Sequence, residues 1–171
     1  MVFREPSLAD AAQITQLVRR CPPLDVNSHY LSLLLCRDFS ATCVVAEWDS
    51  QLAGFLSAYL PPGRNDTVFV WQVAVDPQRR GAGIASRMLD ALLARPACKE
   101  VRRLETTITP SNASSQKLFR ALAARLETDC LRGEGFAAEL FAGDDEHEPE
   151  ELYRIGPFTL KNHQREGSLT S

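Results

Sequence analysis

A β-type run followed by a glycine turn and an amphipathic helix limits most strongly what this chain can fold into. The run TVFVWQVAV (67–75) is rich in β-branched and aromatic residues and stops at an Asp-Pro pair. The segment QRRGAGIA (78–85) then leads into a helical pattern with a continuous apolar stripe. This order predicts a central strand, a tight turn at Gly81 and Gly83, and a helix that packs on the sheet.

The remaining patterns place further helices and strands around this unit. In chain order they predict helices over 7–21 and 28–38, a hairpin of strands over 42–48 and 52–60, a strand over 101–109, a helix over 112–124, and short strands around 136–141 and over 152–158. Such an order is typical of one α/β (α+β) domain. We expect that domain over residues 1–158, with a flexible tail over 159–171.

Composition and charge restrict the partners. The chain is 44% hydrophobic and 24% charged with a net charge of −3, which gives no general attraction to nucleic acid or to an anionic membrane surface. It lacks an apolar run long enough for a signal peptide or a membrane span, so we expect a cytoplasmic protein. The five cysteines form no CxxC pair, which favours reduced thiols over a zinc site.

Gly81 and Gly83 at the predicted helix start indicate a site for phosphate. Two glycines one residue apart leave backbone N–H groups accessible at the positive end of the helix dipole. Glycine chemistry alone fits an ordinary tight turn equally well. A P-loop is excluded because no Gly-Lys-Ser/Thr follows the glycines. A dinucleotide-binding fold is disfavoured because its GxGxxG motif is incomplete, since Ala85 and Ser86 occupy the region of the third glycine. A different phosphate-bearing ligand is therefore expected.

The run VAVDPQRRGAGIA resembles the pyrophosphate motif, Gln/Arg-x-x-Gly-x-Gly/Ala, of the GNAT N-acetyltransferases, and Asn112 matches their second cofactor segment. The resemblance covers about residues 42–125. It implies a mixed central sheet, flanked by helices, whose fourth and fifth strands splay apart to admit acetyl-CoA, and it implies no metal. The implied cofactor residues are Val73, Ala74, Val75, Gln78, Arg79, Arg80, Gly81, Ala82, Gly83, Ile84, Ala85, Asn112, Ser115 and Phe119.

A second resemblance covers about residues 3–158. CPPLDVNSHY (21–30), LETTITPSNASSQKLF (104–119) and HEPEELYRIGPF (147–158) are similar to segments of the diaminobutyrate acetyltransferases of ectoine biosynthesis. It implies transfer of acetyl from acetyl-CoA to the γ-amine of L-2,4-diaminobutyrate, in bacteria that make ectoine as a compatible solute. The wider superfamily resemblance also implies a homodimer.

The same resemblance implies the residues at the amine end of the site. Asp25, Tyr30 and Glu150 are implied as catalytic groups, and Trp71 and His147 as further substrate contacts. A primary amine is mostly protonated at neutral pH, so the enzyme must accept its proton before or during attack on the thioester. Carboxylates suit that task and also attract the substrate's ammonium groups.

Each of these residues also has a purely structural interpretation. Asp25 fits an Asx turn after two prolines, Tyr30 a helix-surface aromatic and Trp71 a core residue. The acidic run 144–151 is typical of a solvated loop. A metal site at His147 is a further alternative that the resemblance disfavours.

Phe119 departs from the superfamily pattern, because many members carry there a tyrosine that protonates the departing thiolate. A phenyl ring donates no proton. Tyr30, Ser114, Ser115 or water must serve instead, or the thiolate leaves unassisted.

The acceptor is the least constrained part of the interpretation, because a fold does not fix it. Another small amine, a protein N-terminus, or a non-catalytic module that binds acyl-CoA are the alternatives. Arg154 and Thr106 are candidates for contacting the substrate's carboxylate.

Overall fold

The computed structural model describes residues 1–141 and 147–160, and within these ranges the chain forms seven β-strands and four α-helices. The strands are β1 (Val2–Arg4), β2 (Val44–Trp48), β3 (Gln51–Tyr59), β4 (Thr67–Val75), β5 (Arg103–Ile108), β6 (Cys130–Phe136) and β7 (Glu150–Ile155). The helices are α1 (Ala11–Arg19), α2 (His29–Asp38), α3 (Ile84–Leu93) and α4 (Ala113–Arg125). The strand predicted over 67–75 is confirmed as β4, residue for residue.

The strands form a single mixed sheet in the order β1-β2-β3-β4-β5-β7-β6. Strands β4 and β5 pair in parallel, and the other neighbours pair antiparallel. The β4–β5 ladder is short and consists of Thr67↔Arg103, Val68↔Leu104 and Phe69↔Glu105. Beyond it, β4 continues to pair with β3, and β5 continues to pair with β7. The two central strands therefore diverge, which confirms the predicted splay.

Helices cover both faces of the sheet. Helices α3 and α4 pack on one face through a core that includes Met88 and Leu122. Helix α1 packs on the other through Ile14 and Leu17. Strand β4 is apolar on both faces because it lies between these two layers. The predicted fold class, a mixed sheet flanked by helices, is confirmed.

The end of the chain differs from the sequence prediction. The strand expected around 136–141 is wrong, because β6 ends at Phe136 and residues 138–140 form a 3-10 turn. Strand β6 is almost entirely exposed and contains Gly133 and Gly135, so it shows neither alternation nor β-branched residues. Gly135 lies so close to β7 that an added Cβ would be 2.1 Å from the Glu150 carbonyl oxygen. Only glycine fits there.

Two predicted segments fall partly outside the described ranges. These are residues 144–146 of the acidic run and residues 161–171 of the predicted tail. Strand β1 pairs with β2 at the sheet edge and was not predicted, because three residues are too few for a periodic signal.

The N-terminal corner rests on a charged contact that we expect to contribute measurably to stability. Arg4 donates to both carboxylate oxygens of Asp10 at 2.8 Å, and the Ser7 backbone N–H donates to the same carboxylate at 2.7 Å. Mainly through Arg4, these contacts lower the pKa of Asp10 to about 2. Because the folded pKa lies below the unfolded value, this stabilisation is present above about pH 4 and is lost as the pH falls towards 2.

We therefore expect Asp10→Asn to lower the free energy of unfolding at pH 7 by about 2 kcal/mol. Urea unfolding of both proteins between pH 7 and pH 2.5 checks this, and the difference should shrink with falling pH. Asp38→Asn is the control, because Asp38 is exposed and its carboxylate pairs only with its neighbour Arg37 in the described structure. Equal stabilities of Asp10→Asn and wild type at pH 7 would contradict the assignment.

Candidate active site

A cleft of about 530 Å³ lies where β4 and β5 separate. Its floor comes from β4, one wall from the turn before α3, the other wall from the start of α4, and its edge from the corner after α1. The predicted cofactor residues that line it are Val73, Val75, Arg79, Arg80, Gly81, Gly83, Ile84, Ala85, Asn112 and Ser115. Residues far apart in the sequence thus surround one cavity.

The turn before α3 has the geometry of an anion site. Gly81 and Gly83 adopt φ values of +83° and +71°, a region that L side chains rarely occupy. Gly83 is the N-cap of α3 and has no side chain to bond the first helical N–H groups. Those donors are left for an external acceptor at the positive end of the helix dipole. Arg79 and Arg80 add positive charge at the same place.

Two contacts of Asp76 hold this turn in position. Its carboxylate accepts a hydrogen bond from the Gln78 backbone N–H at 3.0 Å and pairs with Arg20, at the end of α1, at 3.2 Å. Arg79 stacks over the Trp48 ring at 4.6 Å from the centroid. The turn is therefore fixed to the sheet and to α1 before a ligand binds.

These features fit acetyl-CoA as a ligand. The glycine turn with its two arginines suits the phosphates, and the apolar floor at Val73 and Val75 suits the pantetheine chain. In addition, no described strand pairs beyond Phe69 with the edge of β4 that faces the splay, so this edge offers backbone groups to an extended ligand.

Some predicted cofactor residues lie elsewhere. Ala74 is fully buried against α1, on the opposite face of β4 from Val73 and Val75. Phe119 is 2% exposed and packs in the core beneath α4. Within the described ranges, neither these two nor Gln78 and Ala82 line the cleft.

Sequence reasoning missed part of the wall formed by α4. Lys117, Leu118 and Ala121 line the cleft beside Ser114, and the four residues follow helical i, i+3, i+4, i+7 spacing. That spacing was visible in the sequence, but it does not show which face of the helix borders a ligand, and Leu118 also packs against the core. Ser86, at the start of α3, was missed as well.

The corner CPPL (21–24) also lines the cleft, although only the residues after it had been assigned to the site. The Cys21 thiol is buried and donates to the Val75 carbonyl oxygen at 3.3 Å, which ties the corner to β4. The corner thus contacts the cofactor cleft on one side and leads into Asp25 on the other.

Asp25 and Trp71 lie on the face of the sheet that α1 covers. The Gln72 side chain donates to the Asp25 carbonyl oxygen at 3.0 Å, which fixes the main chain after the corner against β4. Trp71 is the extra residue of a β-bulge opposite β3 and is 38% exposed, so it is not a core residue. Tyr30, in the first turn of α2, is 66% exposed.

The segment before β7 is docked rather than solvated. The His147 ring stacks on Phe141 with centroids 3.8 Å apart, and its Nδ1 lies 2.6 Å from the Glu148 carbonyl oxygen. The Glu148 carboxylate accepts from the Ser111 backbone N–H at 3.1 Å and also from the Ser111 hydroxyl. Residues 147–150 are thereby joined to the loop before α4, and Glu150 begins β7 half-buried.

None of the five predicted amine-end residues, which are Asp25, Tyr30, Trp71, His147 and Glu150, is among the described residues that line the 530 Å³ cleft.

In the described part of the chain, no three His, Cys, Asp or Glu side chains are grouped closely enough to hold a metal ion. No helix there is long and apolar enough to cross a bilayer.

Comparison with known proteins supports this description. The model of the Acetyltransferase (GNAT) family matches residues 11–124, which include the glycine turn and the start of α4. A solved structure of diaminobutyrate acetyltransferase from Paenibacillus lautus, in complex with its substrate L-2,4-diaminobutyric acid and coenzyme A, is 40% identical with a TM-score of 0.90. The similarity covers 94% of this chain and 96% of that one.

Curated relatives agree with the structural neighbour. The L-2,4-diaminobutyric acid acetyltransferase of Marinococcus halophilus is 50% identical over 93% of this chain and 91% of its own length. That of Halalkalibacterium halodurans is 44% identical over 90% and 80%. The chain therefore belongs to the GNAT acetyltransferase family and, within it, to the family of the L-2,4-diaminobutyric acid acetyltransferases.

Proposed function

We propose that the protein transfers the acetyl group of acetyl-CoA to the γ-amine of L-2,4-diaminobutyrate, giving Nγ-acetyl-diaminobutyrate in ectoine biosynthesis. The observation that carries the proposal is the cleft at the β4–β5 splay, with the glycine turn at one end and the CPPL corner at its edge. Identities of 40–50% over at least nine-tenths of the chain support the choice of acceptor.

The cleft residues bind and orient the acyl donor in this proposal. Backbone N–H groups at the start of α3 hold its phosphates, with Arg79 and Arg80 as charge partners. The bound thioester supplies an activated acyl group. Orientation of the two reactants accounts for much of the expected acceleration.

Asp25, Glu150 and Tyr30 act on the amine, with Trp71 and His147 beside it. A γ-amine with a pKa near that of lysine, about 10.4, is almost entirely protonated at pH 7. A carboxylate that attracts the ammonium group and takes up its proton therefore increases the fraction of reactive amine. Asp25 is well placed for this role because Gln72 fixes its main chain while its carboxylate stays exposed.

The departing thiolate receives its proton from a hydroxyl group or from water. Of the hydroxyl groups suggested by the sequence, Ser114 and Ser115 line the cleft, whereas Tyr30 does not. Phe119 takes no part because it is a buried core residue without a polar group. The proton donor need not assist this departure strongly, since the thiolate of a thiol with a pKa of about 8.5 or above is a fair leaving group.

We also propose that residues 1–158 form one catalytic domain, that the protein is a homodimer and that it is cytoplasmic. Support for dimerisation comes from β6, which forms the edge of the sheet and exposes Leu131 and Phe136. Support for a reducing compartment comes from the five cysteines, which are all free thiols.

An acetyl-CoA turnover assay with a panel of amines tests the proposed function. We expect turnover with L-2,4-diaminobutyrate to exceed that with spermidine or a peptide N-terminus by at least about 100-fold in kcat/KM. Activity with spermidine or the peptide but none with diaminobutyrate would overturn the choice of acceptor. Coenzyme A binding without turnover of any amine would identify a binding module instead.

A further inference from the structure

One face of the sheet carries an arginine and a carboxylate on the same strand. Arg154, Leu152 and Glu150 are alternate residues of β7 and therefore share a face. Glu105 of β5 is paired with Arg154 in the ladder, so its side chain lies on that face as well. Roughly 13 Å of strand separates the Cα atoms of Arg154 and Glu150. The face thus has a basic end and an acidic end.

Trp71 lies on this face between the two ends. Phe69 is the partner of Glu105 in the short β4–β5 ladder, and Trp71 is two residues further along β4 towards the splay. Gln72, beside it, holds the carbonyl of Asp25. The two acids proposed for the amine, Asp25 and Glu150, are therefore both displaced from Glu105 in the direction of the splay.

At the basic end of the face, two arginines bind one buried carboxylate. Arg64 Nη1 donates to Glu105 Oε2 at 2.9 Å, and Arg154 Nε donates to Glu105 Oε1 at 3.3 Å. The side chain of Glu105 is only 8% exposed, whereas those of Arg64 and Arg154 are 49% and 56% exposed. Two arginines and one glutamate leave one net positive charge, and it is accessible to solvent.

Arg154 has donors to spare for a further anion. Within the described part of the chain, its side chain makes one hydrogen bond, from Nε to Glu105. Its Nη1 atom lies over Gly133 of β6, where an added Cβ would be 3.8 Å away, so the strand leaves space for the guanidinium. A guanidinium anchored through Nε can offer both Nη groups to a carboxylate in bidentate geometry.

We propose that Arg154, positioned by Glu105, binds the α-carboxylate of the diamino acid. This inference rests on the proposed function, since it concerns how the same site selects its acceptor. A diamino acid carries its carboxylate at one end and its γ-ammonium at the other, so the order of its charges is complementary to the basic and acidic ends of this face. Arg64 offsets the charge of Glu105, so that the cluster offers one net positive charge to the carboxylate of the substrate.

Thr106, the other candidate from the sequence, does not fit this role. It neighbours Glu105 on β5 and therefore points to the opposite face, together with its partner Tyr153. Thr106 is 2% exposed, and Tyr153 belongs to the core beneath α3 and α4. A hydroxyl in that position does not reach a ligand on the Trp71 face.

The test compares L-2,4-diaminobutyrate with 1,3-diaminopropane, which has the same amine spacing and no carboxylate. In Arg154→Met we expect the KM for diaminobutyrate to rise by about 10- to 100-fold. The KM for diaminopropane should change by less than about twofold, because that molecule has nothing for Arg154 to bind. Should diaminopropane bind without being acetylated, its inhibition constant serves in place of KM.

Arg103→Met is the matched control. Arg103 lies two residues before Glu105 on the same face, and its side chain pairs with Asp66 rather than with Glu105. The KM values of Arg103→Met for both amines should equal those of wild type. Arg154→Lys, which keeps the charge but not the bidentate geometry, should give an intermediate KM for diaminobutyrate and replaces Arg154→Met if that variant does not fold.

The outcomes separate the inference from the proposed function. An equal rise in KM for both amines, or an unchanged ratio of the two KM values, would show that Arg154 only supports the fold and would overturn the inference. Wild type that fails to acetylate diaminobutyrate would remove the proposed function itself. A rise in KM for diaminobutyrate alone, with the affinity for coenzyme A unchanged, supports the assignment of the α-carboxylate to Arg154.

Discussion

Gly81→Val is expected to raise the KM for acetyl-CoA by at least about 100-fold, because the turn that carries the phosphate donors cannot keep its conformation. At φ +83°, a β-branched residue is strained even though an added Cβ would meet no atom of the described residues within 4 Å. The chain must therefore rotate out of the left-handed region, which moves the backbone N–H groups at the start of α3. Steady-state kinetics and calorimetric titration with coenzyme A measure the loss.

Gly63→Val provides a control with the same backbone strain. Gly63, in the β3–β4 loop, has φ +77°, and an added Cβ there would likewise meet nothing within 4 Å in the described part of the chain. It is not among the described residues that line the cleft. Gly63→Val should thus lose stability as Gly81→Val does, and keep its affinity for coenzyme A. Equal affinities of the two variants would refute the assignment of the glycine turn to the phosphates.

The second large effect is expected at the amine. Asp25→Ala should lower kcat/KM for diaminobutyrate by about 100-fold or more, since the ammonium group loses its carboxylate partner. The corner itself should stay in place, because Gln72 binds the main-chain carbonyl of Asp25, which alanine retains. The affinity for coenzyme A should accordingly remain within about twofold of wild type.

The pH profile of Asp25→Ala distinguishes the two roles open to this carboxylate. If Asp25 accepts the proton, the residual rate should climb about tenfold per pH unit as free amine becomes available below its pKa. If Asp25 only holds the ammonium group, the profile should run parallel to that of wild type. Asp38→Ala, which removes an exposed acid from the end of α2, is the control. A coenzyme A affinity that falls together with the rate would contradict the assignment of Asp25 to the amine.

The central unit of the fold could be predicted because its signals are local. Strand β4 and helix α3 are long and strongly patterned, and a turn with two glycines joins them. The splay is different, since no pattern within β4 or β5 shows where their pairing stops; that expectation came from family resemblance. Strand β6 was misplaced because Gly135 is required by its close approach to β7, which is a tertiary contact.

The predicted cofactor residues lie together in the structure mainly where backbone geometry decides their positions. The glycine turn and Asn112 reach the same cleft, as the motifs implied. Phe119 shows the opposite case. Resemblance placed it near the cofactor, whereas the structure has it buried in the core. Arg154 and Thr106 could not be separated by sequence alone, because the face on which each one lies depends on the register of β5 with β7.

The position of the acetyl group in the product tests the central claim most directly. Wild-type protein incubated with L-2,4-diaminobutyrate and acetyl-CoA carrying a ¹³C-labelled acetyl group should give one labelled amide. Two-dimensional NMR should correlate its labelled carbonyl carbon with the methylene protons at Cγ. Correlation with the proton at Cα, or the absence of any labelled amide, would contradict the account.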